Sequence, residues 1–485
     1  MRITSLRLLA GVTLMATSAP VFAETLAIVG GRVMDPESGL DAIRHVLIED
    51  GRVIEISESV PEADRTIDAT GLVVAPGFID LHAHGQDIPS NRFQAADGVT
   101  TALELEIGTW PVQRFYESRR GKALLNYGSA VSHVVARHAA VEGREDVTSD
   151  LMIYFQSAFG TPSAREPISE AELSYALELM REGMRQGALG FGFGITYTPG
   201  ASHSEIYQAF AAAAELEAPV FVHMRGANRM GGDLLAPIQE VITNALATGA
   251  SLHIVHLNSS TDESARPALA MIRGAREAGL DITTESYPYT AGSTLIQSAL
   301  FDNWQSDYGL LQWAATGERL TRETFEKYRA EGGAVIIHGR SEATNAWLVS
   351  QPDVIVASDG ISFALGAAHP RGAGTYAKVL GHYVRDTEAL DLMTALAKMT
   401  LLPARRLEAV APDMQRKGRV QVGADADLTI FDPDQIIDKA TYLDSMQFSG
   451  GIKHVLVNGV AVVSDGTLVE GVYPGQPVYG RLKRD

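Results

Sequence analysis

Residues Pro76–Gly85 read PGFIDLHAHG, and they close an apolar run that begins at Leu72. A run this apolar predicts a strand buried on both faces, as in a parallel sheet covered by helices. In such a strand His82 and His84 are two positions apart, so both imidazoles point to one face. Paired imidazoles at the end of a buried strand are poorly explained by packing. They are well explained as two ligands of one metal ion.

Working outward, residues 75–410 alternate apolar runs with amphipathic helical patterns. The candidate strands are GLVVAPGFIDLHAH, VTTALELE, ALLNYGSAV, GFGFGI, APVFVHM, SLHIVHL, DITTESYPY, AVIIHG and DVIVASDG. Repeated β–α units predict a TIM-like (β/α)8 barrel with its chemistry at the C-terminal strand ends. Residues 296–333 break the rhythm and read as an insertion over the barrel mouth. Residues 24–74 and 411–485 read as short strands and tight turns, with Asp50-Gly51, Asn458-Gly459 and Asp465-Gly466 as hairpin signals. Neither piece can bury a core alone, so they predict one small β-sandwich built from both chain ends. Residues 1–23 read as a signal peptide: Arg2 and Arg7, an apolar Leu8–Ala16, and Val21-Phe22-Ala23 before Glu24. An exported protein, periplasmic or secreted, is expected, without membrane association once the signal is removed.

The chain has 485 residues, a formal charge of −19 and no cysteine. The acidic balance argues against nucleic acid as a partner. The lack of cysteine excludes disulfides, thiolate nucleophiles and thiolate metal ligands.

PGFIDLHAHG resembles the signature of the metal-dependent amidohydrolase superfamily. GALGFGFGITYTPG, FVHMRG, HIVHLNS, ESYPYTAGST, VIVASDG, HPRGAGTY, KMTLLPARRL, GADADLTIFDP and GIKHVLVNG follow in order, and they are similar to motifs of the N-acyl-D-amino-acid deacylases (D-aminoacylases). The resemblance implies that His223 and His256 join His82 and His84 as ligands of one or two Zn²⁺ or similar divalent transition ions. It assigns Asp359 as a ligand and as the catalytic proton shuttle. It makes Arg371 the carboxylate-binding arginine, with Tyr287 and Ser293 as further substrate contacts. His253 is expected on the opposite face from His256, in a structural role. Close relatives commonly carry a metal-binding cysteine on the second strand. Here VTTALELE offers Glu106 as the expected bridging ligand, with Glu104 in reserve. A lysine common two residues after the second histidine ligand is Asn258 here, and Arg225 or Arg340 could restore the charge. GFGFG reads as tight backbone at the barrel mouth rather than a phosphate loop.

The resemblance thus implies hydrolysis of N-acyl-D-amino acids, small-molecule substrates, by metal-activated water. Dipeptides, other N-acyl amino acids and cyclic amides remain alternatives, and D over L selectivity is not read from the residues. A non-enzymatic binding module is disfavoured by the full set of ligands.

Overall fold

The computed structural model describes residues 24–143, 161–226, 234–302, 304, 307–364 and 366–484. The expected signal peptide lies outside the described residues. Eight strands form the central sheet: Phe78–Asp80, Val99–Thr109, Asn126–Ser132, Phe191–Gly194, Val220–His223, Leu252–Ile254, Ile282–Ser286 and Ile355–Val356. They lie side by side in sequence order, and every pairing is parallel. The first and eighth strands meet just past their ends, through an Ala83–Gly360 bridge and a 3.0 Å hydrogen bond from Gly85 N to Gly360 O. This is the (β/α)8 barrel that the repeated units predict.

The barrel has an apolar floor and an ionisable top. Ile79, Leu103, Leu105, Ala130, Leu189, Phe221, Val255 and Ile355 pack inside it, closed from below by Met414 and Val478. Above that layer the strand ends carry histidines and carboxylates, which places the chemistry at the C-terminal face.

Two expected strands differ in the structure. Leu72–Leu81 is not one strand: Val73–Pro76 belongs to the terminal sheet and Phe78–Asp80 to the barrel. The break falls at Gly77, where a β-carbon would sit 2.2 Å from Thr100 Oγ1. AVIIHG is no barrel strand. Ala334–Ile337 is the centre of a separate antiparallel sheet, between Gly292–Leu295 and Leu311–Trp313. The inserted unit therefore begins at about residue 292 and has its own core of Ile296, Phe301, Trp313, Phe325 and Val335.

The terminal pieces share one nine-stranded sheet, joined where Val73–Pro76 runs antiparallel to Leu428–Phe431. All three predicted hairpin turns are present with both residues at positive φ: 50° and 73° at Asp50-Gly51, 49° and 79° at Asn458-Gly459, 48° and 74° at Asp465-Gly466. Left-handed turns match the twist of the strands they join.

One buried cation has a testable cost. Lys398 is fully buried on helix Leu392–Met399, and its amine donates to the carbonyl of Gln351. Burial pushes its pKa down from 10.5 to about 7, partly opposed by Asp353. Between those values the unfolded chain holds the proton and the folded chain does not, so this group's contribution to stability rises with pH. Lys398→Met is expected to remove that slope. In chemical denaturation wild type should gain about 2 kcal/mol relative to the variant from pH 7 to pH 9.

Candidate metal centre and substrate cavity

The second barrel strand carries the central group of the site. Its pairing with the third strand slips between Glu104 and Thr109, so residues 105–108 bulge inward. Gly108 permits the bend with φ of 70°. Gly192, in the GFGFG stretch, gives it room: a β-carbon there would lie 2.7 Å from the carbonyl oxygen of Glu106. Tight backbone was the expected role of that stretch, and the structure shows what it is tight against.

The bulge sets the buried Glu106 between two pairs of histidines. Its Oε2 lies 3.3 Å from His82 Nε2 and 3.2 Å from His84 Nε2. Its Oε1 lies 2.7 Å from His223 Nδ1 and 3.0 Å from His256 Nε2. Within the pairs, the facing nitrogens are 3.1 Å apart in each case. Asp359 Oδ1 is 3.4 Å from the Nε2 of both His82 and His84. All six residues named as ligands from the sequence are thus brought to one place.

Two of them sit on unusual backbone. His256 has φ of 32° and Asp359 of 53°, a region costly for residues with a β-carbon. Each follows the end of its strand, and the left-handed step turns its side chain into the barrel axis.

Outer partners fix the first histidine pair. His82 Nδ1 donates to Glu285 Oε1 at 2.6 Å, and His84 Nδ1 donates to Glu104 Oε2 at 2.8 Å. Both imidazoles therefore face the centre with Nε2, the tautomer that a metal ligand needs. Glu104 is a support for His84 rather than an alternative to Glu106. His253 departs from expectation: it does not face away. The strand ends at Ile254, so parity fails beyond it, and His253 Nε2 donates to Glu285 Oε2 at 2.9 Å. Glu285 is the supporting residue that the sequence reading passed over. Its signal was a carboxylate on the candidate barrel strand DITTESYPY, which is mostly buried at Ile282–Ser286 and leaves a charge there in need of a partner.

Such a donor set fits a divalent cation. Three overlapping groups have ligand atoms within 4.8 Å of one another: His82, His84 and Glu106; Glu106, His223 and His256; and His82, His256 and Asp359. Burial alone would lower the pKa of His82, but Asp359, Glu106 and Glu285 outweigh it and hold the imidazole well above its ordinary value. Burial likewise opposes ionisation of Glu106, yet His82 and His223 keep its carboxyl well below the usual range. The carboxylates thus demand positive charge at the position where cations would sit.

A cavity opens in front of the centre. Arg371, Ser293, Asp359, Tyr197 and Arg340 line it, together with the apolar Leu300, Trp304 and Ile337. Arg371 is 1% exposed; its Nη1 is 2.8 Å from Asp359 Oδ2 and its Nη2 donates to Ser293 O at 3.1 Å. Tyr287, expected as a substrate contact, is fully buried and is not among the residues lining the cavity; the guanidinium of Arg371 lies 4.7 Å over its ring. Arg225 does not face the cavity; it pairs with Glu240 at 3.1 Å.

An amidohydrolase family model matches residues 73–462 of the chain. The chain belongs to the amidohydrolase family and is a hydrolase of amide bonds. Among curated relatives, it is 29% identical to N-acyl-D-glutamate deacylase of Alcaligenes xylosoxydans xylosoxydans over 466 residues, covering 90% of this chain and 93% of the relative. It is 26% identical to D-aminoacylase of the same organism, over 90% of this chain and 94% of that one. A solved structure of N-acyl-D-glutamate deacylase from Bordetella bronchiseptica, complexed with zinc and a phosphonate inhibitor, superposes with a TM-score of 0.78 at 25% identity, covering 94% of this chain and 100% of that chain.

Glu285→Gln keeps the shape of the side chain but removes the charge shared by His82 and His253. Zn²⁺ affinity, read by competition with a chromogenic chelator, is expected to fall about 10- to 100-fold, with the far-ultraviolet spectrum unchanged.

Proposed function

We propose that this protein is an exported, metal-dependent deacylase that cleaves the acyl–nitrogen bond of N-acyl-D-amino acids, releasing a carboxylate and a D-amino acid. The observation that carries the reading is Glu106, whose two oxygens separately address two histidine pairs beside a cavity bearing Asp359 and Arg371. The named activities of the similar deacylases support it. Zinc in the Bordetella enzyme and the binuclear metal centre described for a solved D-aminoacylase support the cofactor.

In this reading His82, His84, Glu106 and Asp359 would hold one ion, and Glu106, His223 and His256 would hold a second, zinc or a similar divalent metal. A bound divalent cation supplies Lewis acidity to a water molecule and to the amide carbonyl. Asp359 accepts the proton that the attacking water gives up and delivers it to the departing nitrogen, which cannot leave as an amide anion. Arg371 keeps that carboxyl ionised. Burial works against ionisation, but the guanidinium and His82 hold its pKa below the ordinary range. Arg371 also presents remaining N–H groups toward the cavity for the substrate's free carboxylate, beside Ser293. Among the described residues no helix is long and apolar enough to cross a membrane. Export rests on the basic, apolar and small-residue order of residues 1–23.

A hydrolysis screen of N-acetyl-D- and N-acetyl-L-amino acids with zinc-loaded protein tests the reading. Turnover of D substrates is expected, and activity confined to the L series would overturn the stereochemical assignment. Glu106→Gln is expected to lower bound zinc per chain in elemental analysis and to abolish turnover; an unchanged zinc content would remove Glu106 from the ligand set. Asp359→Asn is expected to reduce kcat by at least ~100-fold.

A further inference from the structure

The substrate cavity carries two guanidinium groups on one wall. Arg371 donates to the carbonyl of Ser293. The guanidinium of Arg340 lies over the neighbouring Gly292, where a β-carbon would sit 2.6 Å from both of its terminal nitrogens. The two cations therefore flank successive residues of one strand, Gly292–Leu295.

Their charge environments differ. Arg371 is balanced by Asp359. Arg340 is held by neutral acceptors, donating to Ser259 Oγ at 2.9 Å and to Ile337 O at 3.4 Å. Its Nε is buried without a hydrogen-bond partner, and no carboxylate among the described residues forms an ion pair with it. A half-buried guanidinium with no counter-ion has its full charge available to a ligand, and its planar fork matches a carboxylate. Position 258 makes room for this. Asn258 turns away from the cavity to Tyr287 O and Asn345 Oδ1, and Arg340 reaches the adjacent Ser259 from the inserted sheet instead.

We propose that Arg340 binds a second carboxylate, that of the substrate's side chain, so that N-acylated acidic D-amino acids are the preferred substrates. The assignment rests on the deacylase reading above, in which Arg371 serves the carboxylate common to all acylamino acids. A substrate with one carboxylate leaves Arg340 uncompensated. One with two satisfies both cations.

The test compares kcat/KM of zinc-loaded wild type, Arg340→Gln and Gly292→Ala on N-acetyl-D-glutamate, N-acetyl-D-aspartate and N-acetyl-D-leucine. Wild type should favour the acidic pair by roughly tenfold or more. Arg340→Gln should lose ~10- to 100-fold on that pair, mainly in KM, and less than ~3-fold on the leucine substrate. Gly292→Ala, which crowds the guanidinium without removing its charge, should shift the same ratio in the same direction. Equal losses on all three substrates would place Arg340 on the shared carboxylate and overturn the proposal, as would no loss on the acidic pair. If wild type cleaves none of the three, the deacylase reading fails. Calorimetric binding of D-glutamate then decides Arg340 by itself: binding that Arg340→Gln weakens supports it, and absent or equal binding overturns it.

Discussion

Everything at the top of this barrel is arranged around one carboxylate. Glu106 is buried among four imidazoles, and a lone glutamate would not remain ionised in such a place. Its two oxygens divide the histidines into two pairs, each reached by one oxygen. The backbone is bent to allow it. An inward bulge, a left-handed Gly108 and a missing side chain at Gly192 together make room for the strand end in the lumen. Outer carboxylates, Glu104 and Glu285, then orient the first histidine pair, and His253 anchors Glu285 from beneath. The apolar floor of the barrel gives this network a low-dielectric base, which strengthens each interaction in it.

Much of this was legible in the amino-acid sequence, because the chemistry is concentrated at strand ends and strand ends are marked by apolar runs. His82, His84, His223, His256, Glu106 and Asp359 each close such a run, and all six converge. The hairpin turns were legible for a different reason: Asp-Gly and Asn-Gly pairs report the left-handed backbone that a tight turn demands. Parity was a weaker guide. It placed His253 on the wrong side because the strand ends at Ile254 and His256 adopts a left-handed conformation beyond it. Alternation has no meaning after the pleat stops.

What was not legible depended on contacts between distant segments. AVIIHG has the composition of a buried strand, and nothing in its apolar pattern tells a barrel strand from the middle of an inserted sheet. Tyr287 was associated with substrate through its motif, but only the packing shows it fully buried against the guanidinium of Arg371 and outside the cavity lining. The same holds for Arg225 and Arg340. Both are arginines just after an apolar run, and the difference between them is Glu240, which lies elsewhere in the sequence and captures the first.

The absence of cysteine has a consequence beyond ligand geometry. A thiolate at a metal centre is open to oxidation, to disulfide exchange and to alkylation. The centre here is built from imidazole nitrogens and carboxylate oxygens alone, on a chain without a single sulfhydryl group. No step of thiol redox chemistry is available to it. The redox state of the surroundings therefore leaves this candidate donor set unchanged, and no reductant is needed to keep it in a form that can bind a metal.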